Sequence, residues 1–286
     1  MNTWNFLTGE SAALFWPPII AGLAVAAMCA FLSVLVVLKR LSFIGQGISH
    51  AAFGGIGVAA MLGLLSGTGA GIGLSLGQFG VVLAFCLAAA MFIGHLSRKG
   101  NTHADTAIGI ILVASMALGA ILLNVAYSKR IVSGVSWESV LFGNLLAVSW
   151  PDAWIALAVA VFVLATLFWF RRPLTLWAFD AKIAASLGIN TRFMQLLLLT
   201  LLAITTVTAM KLAGVVLATA MLVLPGAAAL VVSSRSRPVL IASFAFALLG
   251  LVGGLFLSFE TDWPPGPSIV LSQCMCYFGA RFALRN

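Results

Sequence analysis

Nine runs of mostly apolar residues follow one another along this chain, and short connections separate them. A helix needs about 20 such residues to cross the hydrocarbon core of a bilayer, and each run comes close to that length. The runs cover residues 14–38, 43–65, 79–96, 107–127, 152–170, 193–210, 212–232, 239–259 and 268–284. The pattern predicts an all-α polytopic membrane protein, with residues 1–286 forming a single transmembrane domain.

The composition excludes a protein that is soluble in water. Of the 286 residues, 62% are apolar and 8% are charged, whereas soluble domains carry about 25% charged residues. The net charge of +8 does not indicate a nucleic-acid partner, because the basic residues stand in short pairs between the apolar runs. Cys29, Cys86, Cys274 and Cys276 lack C-x-x-C spacing, which favours small core residues over a redox or metal role.

The basic residues also predict the orientation of the chain. If the N-terminus is outside and nine runs cross the membrane, the inner side holds 12 of the 15 Lys and Arg residues and the outer side holds 3. The positive-inside rule then selects an outer N-terminus and a cytoplasmic C-terminus. Lys211 is the weak point, because almost no loop separates the runs on either side of it. The pattern is therefore compatible with a bundle of either eight or nine transmembrane helices.

Three connections are longer than simple turns. Residues 66–77 are rich in glycine, and residues 130–149 are half apolar, as in a short outer helix or a re-entrant segment. The connection 173–192 is the largest on the inner side. Its residues 179–188 predict a short amphipathic helix that ends at Gly188, since glycine favours the conformation that closes a helix. A cytoplasmic partner could dock on a helix in this position.

Few side chains in the apolar runs are able to bind a metal, and each is a functional candidate because such groups are costly at membrane depth. His50 lies in the second run, and Gln46 precedes it by four positions, so both lie on one helical face. A neutral imidazole is a good ligand for transition metals, whereas an amide oxygen is a weak one. His50 is either a histidine satisfied in the bundle interior or a ligand that lines a pathway.

Other polar or helix-breaking residues also have two interpretations. His95 and His103 are predicted to be interfacial, and Asp105 is predicted to lie at the positive end of the fourth helix. Pro225 interrupts the seventh run, which begins near Gly214, and these two residues are the candidates for a helix break or a gate. Proline frees a backbone carbonyl and bends a transmembrane helix, which suits a gate but also occurs in static bundles.

No motif in the chain supplies energy or catalysis. The sequence has no G-x-x-x-x-G-K-[S/T] loop for ATP, no H-E-x-x-H, no G-x-S-x-G and no paired carboxylates. Nor do its seven acidic residues supply the buried carboxylates expected of a carrier driven by protons or sodium. We therefore expect neither enzymatic activity nor a permanently bound cofactor. A partner would have to drive any transport.

Several short stretches stand in order along most of the chain. They are LSFIG at 41–45 with SHA at 49–51, DTAIG at 105–109, LFGNLLAVS at 141–149, AFD at 178–180 with LGI at 187–189, LAGV at 212–215 with LPGA at 224–227, and PPGP at 264–267. Together they resemble the membrane permease of zinc- and manganese-type ABC importers, the ABC-3 family. Each stretch alone is a weak signal, but their order and spacing are specific.

The resemblance implies a permease that works as a homodimer in the inner (cytoplasmic) membrane and moves a divalent metal, zinc or manganese. Two cytoplasmic ATP-binding subunits and, in bacteria, an extracytoplasmic metal-binding protein would be its partners. The inner helix would match the coupling helix that docks to the ATPase, with Phe179, Asp180, Ala184 and Gly188 as the coupling residues.

The resemblance also bears on the candidate pathway. His50 would match the histidine that lines the translocation route and would bind metal transiently. Gln46 departs from the common pattern, because many relatives have Asp at this position. The departure removes a negative charge from the presumed metal path, and a transport site has to bind weakly enough to release its ion.

Two alternative functions stay open. One is a permease of the same architecture for a metal chelate or a vitamin, which would not need the imidazole of His50. The other is a secondary carrier driven by an ion gradient, which would take up its substrate without a partner.

Overall fold

The computed structural model describes residues 12–64, 76–97, 104–129, 145 and 148–283. Within these ranges the regular structure is entirely helical. The helices are α1 (Ala12–Leu38), α2 (Ile44–Met61), α3 (Leu76–Leu96), α4 (Ala104–Ser128), α5 (Trp150–Trp169), α6 (Arg171–Phe179), α7 (Ala181–Ser186), α8 (Thr191–Met221), α9 (Leu224–Val232), α10 (Ser236–Thr261) and α11 (Pro265–Ala283).

Six helical segments of the described residues are long and apolar enough to cross a membrane. They are Trp16–Leu38, Gly77–Leu96, Asp105–Ser128, Trp150–Trp169, Thr191–Val232 and Ser236–Thr261. The helices α2 and α11, with 18 and 19 residues, pack beside them. These helices confirm the predicted all-α polytopic membrane protein. The number of crossings and their orientation stay predictions of the sequence.

Helix α2 is surrounded by α3, α4 and α8, and small residues allow this close packing. A Cβ added at Gly57 would lie 3.0 Å from the Cα of Gly119 on α4, so the two backbones nearly touch. Gly47, nearer the start of α2, is similarly close to Ile108, nearer the start of α4. Because both contacts advance in the same direction, α2 and α4 run parallel, and α2 forms the centre of this half of the bundle.

The other half of the bundle is built by α1, α9, α10 and α11. Ser243 on α10 donates a hydrogen bond to the carbonyl of Ala30 on α1 at 2.6 Å, and its hydroxyl lies 3.2 Å from that of Ser33. Gly22 faces Leu251 further along the same pair of helices. The two contacts run in opposite order, so α1 and α10 are antiparallel.

The structure corrects the predicted boundary between the sixth and seventh runs. The sequence placed the boundary at Lys211, but Lys211 is helical. The break within α8 falls three residues later, at Gly214, whose φ of 80° and ψ of 168° are not helical, and Gly214 was one of the two predicted helix breaks. Lys211 stays in the helix because its ammonium group has a carboxylate partner, Asp152, within the bundle. A lysine among apolar runs therefore marks an ion pair here and not a loop.

Pro225 interrupts the apolar run, as predicted, because α8 ends at Met221 and a new helix begins at Leu224. It lies in the first turn of the new helix α9, after a non-helical residue at Val223, and does not kink a continuous helix. Proline suits this position because the first turn of a helix has no backbone partner for its missing N–H. The predicted glycine-rich connection, most of the segment 130–149, and His103 lie outside the described residues.

Candidate functional site

Helix α2 is almost completely enclosed. Of its 18 residues, 14 are buried. The remaining residues are Gln46, which is exposed, and His50, Val58 and Met61, which are half-buried. They lie on one side of the helix, although Gly54 and Gly57 on the same side are packed against α3 and α4. We call these four positions the open row of α2.

Gln46 and His50 are the polar members of this open row, and they lie one turn apart. Gln46 is exposed and His50 is half-buried. One imidazole and one amide oxygen are too few for a closed structural metal site, which needs four ligands as a rule. Among the described residues no group of three or more His, Cys, Asp or Glu side chains could hold a metal ion. Such a pair suits weak, exchangeable binding, and one chain does not supply a complete site.

The other sequence candidates lie away from this face. His95 is exposed in the last turn of α3, where it borders a pocket with Met91 and Gln195. Asp105 lies in the first turn of α4, as predicted for an acid at the positive end of a helix. Cys29 and Cys86 are buried, consistent with small core residues.

The α6–α7 segment, residues 171–188, lies between α5 and α8. Its two short helices meet at Asp180, whose carboxylate oxygen Oδ1 accepts hydrogen bonds from the backbone N–H groups of Lys182 at 2.7 Å and Ile183 at 3.1 Å. These two bonds cap α7 and hold the pKa of the Asp180 carboxyl below its usual range. The sequence signal for this short helix was therefore correct, although the helix proper begins after Asp180.

Gly188 closes α7 in the left-handed conformation, with a φ of 80°. Its N–H donates to the carbonyl of Ala185, and the N–H of Ile189 donates to the carbonyl of Ala184, both at 3.0 Å. A side chain at Gly188 would meet no other atom, so the glycine is needed for its backbone angle and not for space.

Three large apolar side chains of the α6–α7 segment project into solvent. Phe179 is 60% exposed, Ile183 is 52% exposed and Leu187 is 66% exposed. Ile183 and Leu187 lie on one side of α7, and Phe179 ends α6 just before the extended residue Asp180; we call these three side chains the exposed apolar row of α7. Ala184, which the sequence grouped with the coupling residues, is completely buried. It packs α7 against the bundle and faces no partner.

At the other end of α5, an ion pair joins two helices. The Nζ atom of Lys211 on α8 lies 2.6 Å from Oδ1 of Asp152 in the first turn of α5, and the lysine side chain is only 5% exposed. Ser149 donates to the second carboxylate oxygen at 2.6 Å. The pair fixes α8 three residues before the break at Gly214. No local pattern predicts it, because its members are 59 residues apart.

An all-α bundle with a capped, partly exposed connecting helix and one open polar face defines a multi-pass membrane protein of the transport permease class. The profile of the ABC 3 transport family matches residues 12–283. The chain therefore belongs to the ABC 3 transport family, as the resemblance of its short stretches indicated.

Individual relatives agree with this membership. The chain is 34% identical over 251 residues to the manganese transport system membrane protein MntC of Halalkalibacterium halodurans, covering 88% of this chain and 80% of that protein. It is 32% identical over 259 residues to the chelated iron transport system membrane protein YfeD of Yersinia pestis, covering 91% and 82%. A solved structure of PsaBC from Streptococcus pneumoniae in complex with Fab is similar with a TM-score of 0.79 and 28% identity, covering 96% and 92%.

The sequence reasoning missed three features of the site. Ile183 and Leu187 are exposed, although residues of this type are usually buried, and the repeat of large apolar residues at every fourth position from Phe179 was the available signal. The pairing of Lys211 with Asp152 had no local signal. The contact of the Lys39 side chain with the Trp177 ring had no local signal in the sequence either.

Proposed function

We propose that this chain is the membrane-spanning subunit of an ATP-driven importer for manganese, working as a homodimer with separate ATP-binding subunits and an extracytoplasmic metal-binding protein. The observation that carries the proposal is the exposed apolar row of α7 in a chain that belongs to the ABC 3 transport family. Apolar side chains in water at the end of a capped helix favour a protein partner, because their burial is the main source of interface energy.

The open row of α2 supports the pathway and the homodimer. His50 and Gln46 are the two polar side chains of α2 that its own bundle does not bury. A second copy related by a two-fold axis would bring another imidazole and another amide to the same place. Two imidazoles and two amide oxygens bind a divalent ion without a carboxylate, so the complete site would hold the ion weakly and release it.

The choice of manganese over zinc follows the named relatives, because imidazole binds both metals. The MntC protein of Halalkalibacterium halodurans is named for manganese transport. Gln46 offers an oxygen, which suits the harder manganese ion at least as well as zinc. No group in the described residues selects strongly between the two ions.

Import of a metal chelate is a second candidate, favoured by the similarity to a chelated iron transport protein. A chelate brings its own ligands, so it has no need of an imidazole at His50. The two candidates therefore differ in what they expect from one substitution.

The test is uptake of radioactive manganese by cells that lack the chromosomal copy and carry either the wild-type chain or His50→Ala. We expect the wild-type chain to restore uptake and His50→Ala to reduce it by roughly tenfold or more, the size of losing one metal ligand or its support. A matched control is His95→Ala, since His95 lies away from the open row.

Three results would contradict the proposal. Restored uptake of zinc and not of manganese would show that the transported ion is zinc. Normal uptake by His50→Ala, with iron chelate as the accepted substrate, would favour the second candidate. Uptake by the purified chain alone in liposomes, without an ATPase, would indicate a secondary carrier.

A further inference from the structure

A cation–π contact joins the α6–α7 segment to the turn that leads into α2. The Nζ atom of Lys39 lies 4.0 Å from the centroid of the Trp177 ring. Lys39 directly follows α1, and Trp177 is on α6. At this distance the ring quadrupole attracts the ammonium charge. An apolar side chain of similar length would not make this electrostatic contact, so the contact depends on the charge of Lys39.

The Trp177 end of this contact is fixed to the α6–α7 segment. Trp177 is only 6% exposed, and its neighbours Leu174 and Ala178 on the same side of α6 are also buried. The exposed apolar row of α7 begins two residues later, at Phe179. Trp177 and Phe179 belong to the same short helix, α6, so a displacement of Phe179 by a docked partner would displace the Trp177 ring as well.

The Lys39 end is fixed to α2. The N–H of Leu41 donates to the carbonyl of Val36 at 2.9 Å, and the N–H of Ile44 donates to the carbonyl of Leu41 at 2.9 Å. Arg40 between them adopts a φ of 56°, in the left-handed region. The turn is thus hydrogen-bonded throughout and passes into α2 without a flexible loop. Gln46 follows within the first turns of that helix.

The charges around Lys39 agree with a functional contact. Burial lowers the pKa of Lys39, and the negative charge of Asp180 opposes this change. Asp180 is the residue that caps α7. The ammonium group therefore lies over the ring of α6 and within the electrostatic field of the carboxylate that caps α7.

We infer that Lys39 is a positioning residue that transmits the movement of the α6–α7 segment to α2, and so to Gln46 and His50, through its contact with Trp177. The inference rests on the proposed function, in which the exposed apolar row of α7 docks to the ATPase. A purely structural role would predict a loss of folding or assembly. A transmitting role predicts ATP hydrolysis that no longer moves the metal.

The experiment uses the permease–ATPase complex in liposomes, to which the metal-binding protein and manganese are added. The variants are Lys39→Met, which keeps length and removes the charge, Lys39→Arg, which keeps the cation, and Trp177→Leu, which removes the ring. Manganese transported and ATP hydrolysed are measured together for each variant. Lys129→Met is the control, because Lys129 is an exposed lysine after the end of α4.

We expect Lys39→Met and Trp177→Leu each to lower the ratio of manganese transported to ATP hydrolysed by about tenfold, the size of a typical coupling between sites. Lys39→Arg and Lys129→Met should keep the wild-type ratio. The double variant should be no worse than either single variant, because both remove the same contact.

The outcomes separate this inference from the proposed function. A wild-type ratio in Lys39→Met overturns the inference, and the proposed function stands if the wild-type complex transports manganese. Failure of Lys39→Met to assemble, without rescue by Lys39→Arg, assigns the contact to folding and also overturns the inference. A wild-type complex that hydrolyses ATP but moves no manganese overturns both.

Discussion

Single side chains at the ends of α7 determine whether this short helix forms. A helix of six residues is too short to be stable alone, so its two ends carry more of its stability than in a long helix. Asp180 satisfies two N–H groups at the start, and Gly188 allows the closing turn at the end. The buried side chain of Ala184 then fixes the helix to the bundle.

Replacing Asp180 by alanine should weaken binding of the ATPase, because the two capping hydrogen bonds are lost. Asp180→Asn should keep most of the binding, since its amide oxygen still accepts a hydrogen bond. The measurement is retention of the ATPase by the immobilised permease in detergent at pH 7. Equal retention by the alanine variant and the wild type would contradict a capping role.

The same cap has a defined dependence on pH. Its hydrogen bonds lower the pKa of Asp180 below the ordinary value of 3.8, so the ionised carboxylate stabilises the folded segment above that value. This stability is lost only as the pH falls through the lowered pKa. The advantage of wild type over Asp180→Ala should therefore be unchanged between about pH 8 and pH 5. A loss of that advantage near pH 6 would assign the effect to another group.

Helix interruptions show the limits of reasoning from residue type. Lys211 was predicted to mark a boundary and lies inside a helix, whereas the predicted break at Gly214 is found. Pro225 was predicted to interrupt the run, and it does so by beginning α9 and not by bending one continuous helix. The difference arises because a lysine or a proline is acceptable at more than one position, and its neighbours in space decide which position it takes.

Gly226, next to Pro225, offers a test of how closely α9 packs against α1. A Cβ at this position would lie 2.5 Å from the backbone carbonyl carbon of Ser33 on α1. We expect Gly226→Ala to destabilise the protein by about 1–3 kcal/mol, the usual cost of overpacking. The measurement is thermal unfolding in detergent. Gly109→Ala on α4 is the matched control, because a side chain there meets nothing within 4 Å. Equal melting temperatures for both variants would show that α9 moves away from α1 at little cost.

At the scale of the whole molecule, the open row of α2 is an unusual feature. The bundle buries 14 of the 18 residues of α2, yet Gln46 is exposed and His50 is only half-buried. Groups of this kind are unfavourable against lipid. A second copy of the chain would shield them and complete the proposed site.

A cross-linking experiment tests the proposed homodimer. Gln46→Cys, in a chain whose four cysteines are replaced, should link two copies through a short bifunctional maleimide in membranes. Ile241→Cys should not, because Ile241 is exposed on α10, on the half of the bundle built by α1, α9, α10 and α11. Linking at Ile241 and not at Gln46 would place the contact between copies on the opposite side.

Much of the fold follows from local properties of the chain. The apolar runs predict transmembrane helices because backbone groups in lipid have no partner except within the helix. The start of α7 at Asp180 and its end at Gly188 are also readable, since each residue satisfies or permits backbone geometry within a few positions of itself. The pairing of His50 with Gln46 on one face needs only the period of a helix.

Contacts between distant segments were beyond such reasoning. The ion pair of Lys211 with Asp152, the ring of Trp177 over Lys39 and the burial of Ala184 depend on which helices meet and how they are rotated. In a bundle where nearly every surface is apolar, many rotations bury similar area, so hydrophobic pattern does not choose among them. The choice is made by close glycine contacts and by the few charges that must find a partner, and these appear only when the helices are packed together.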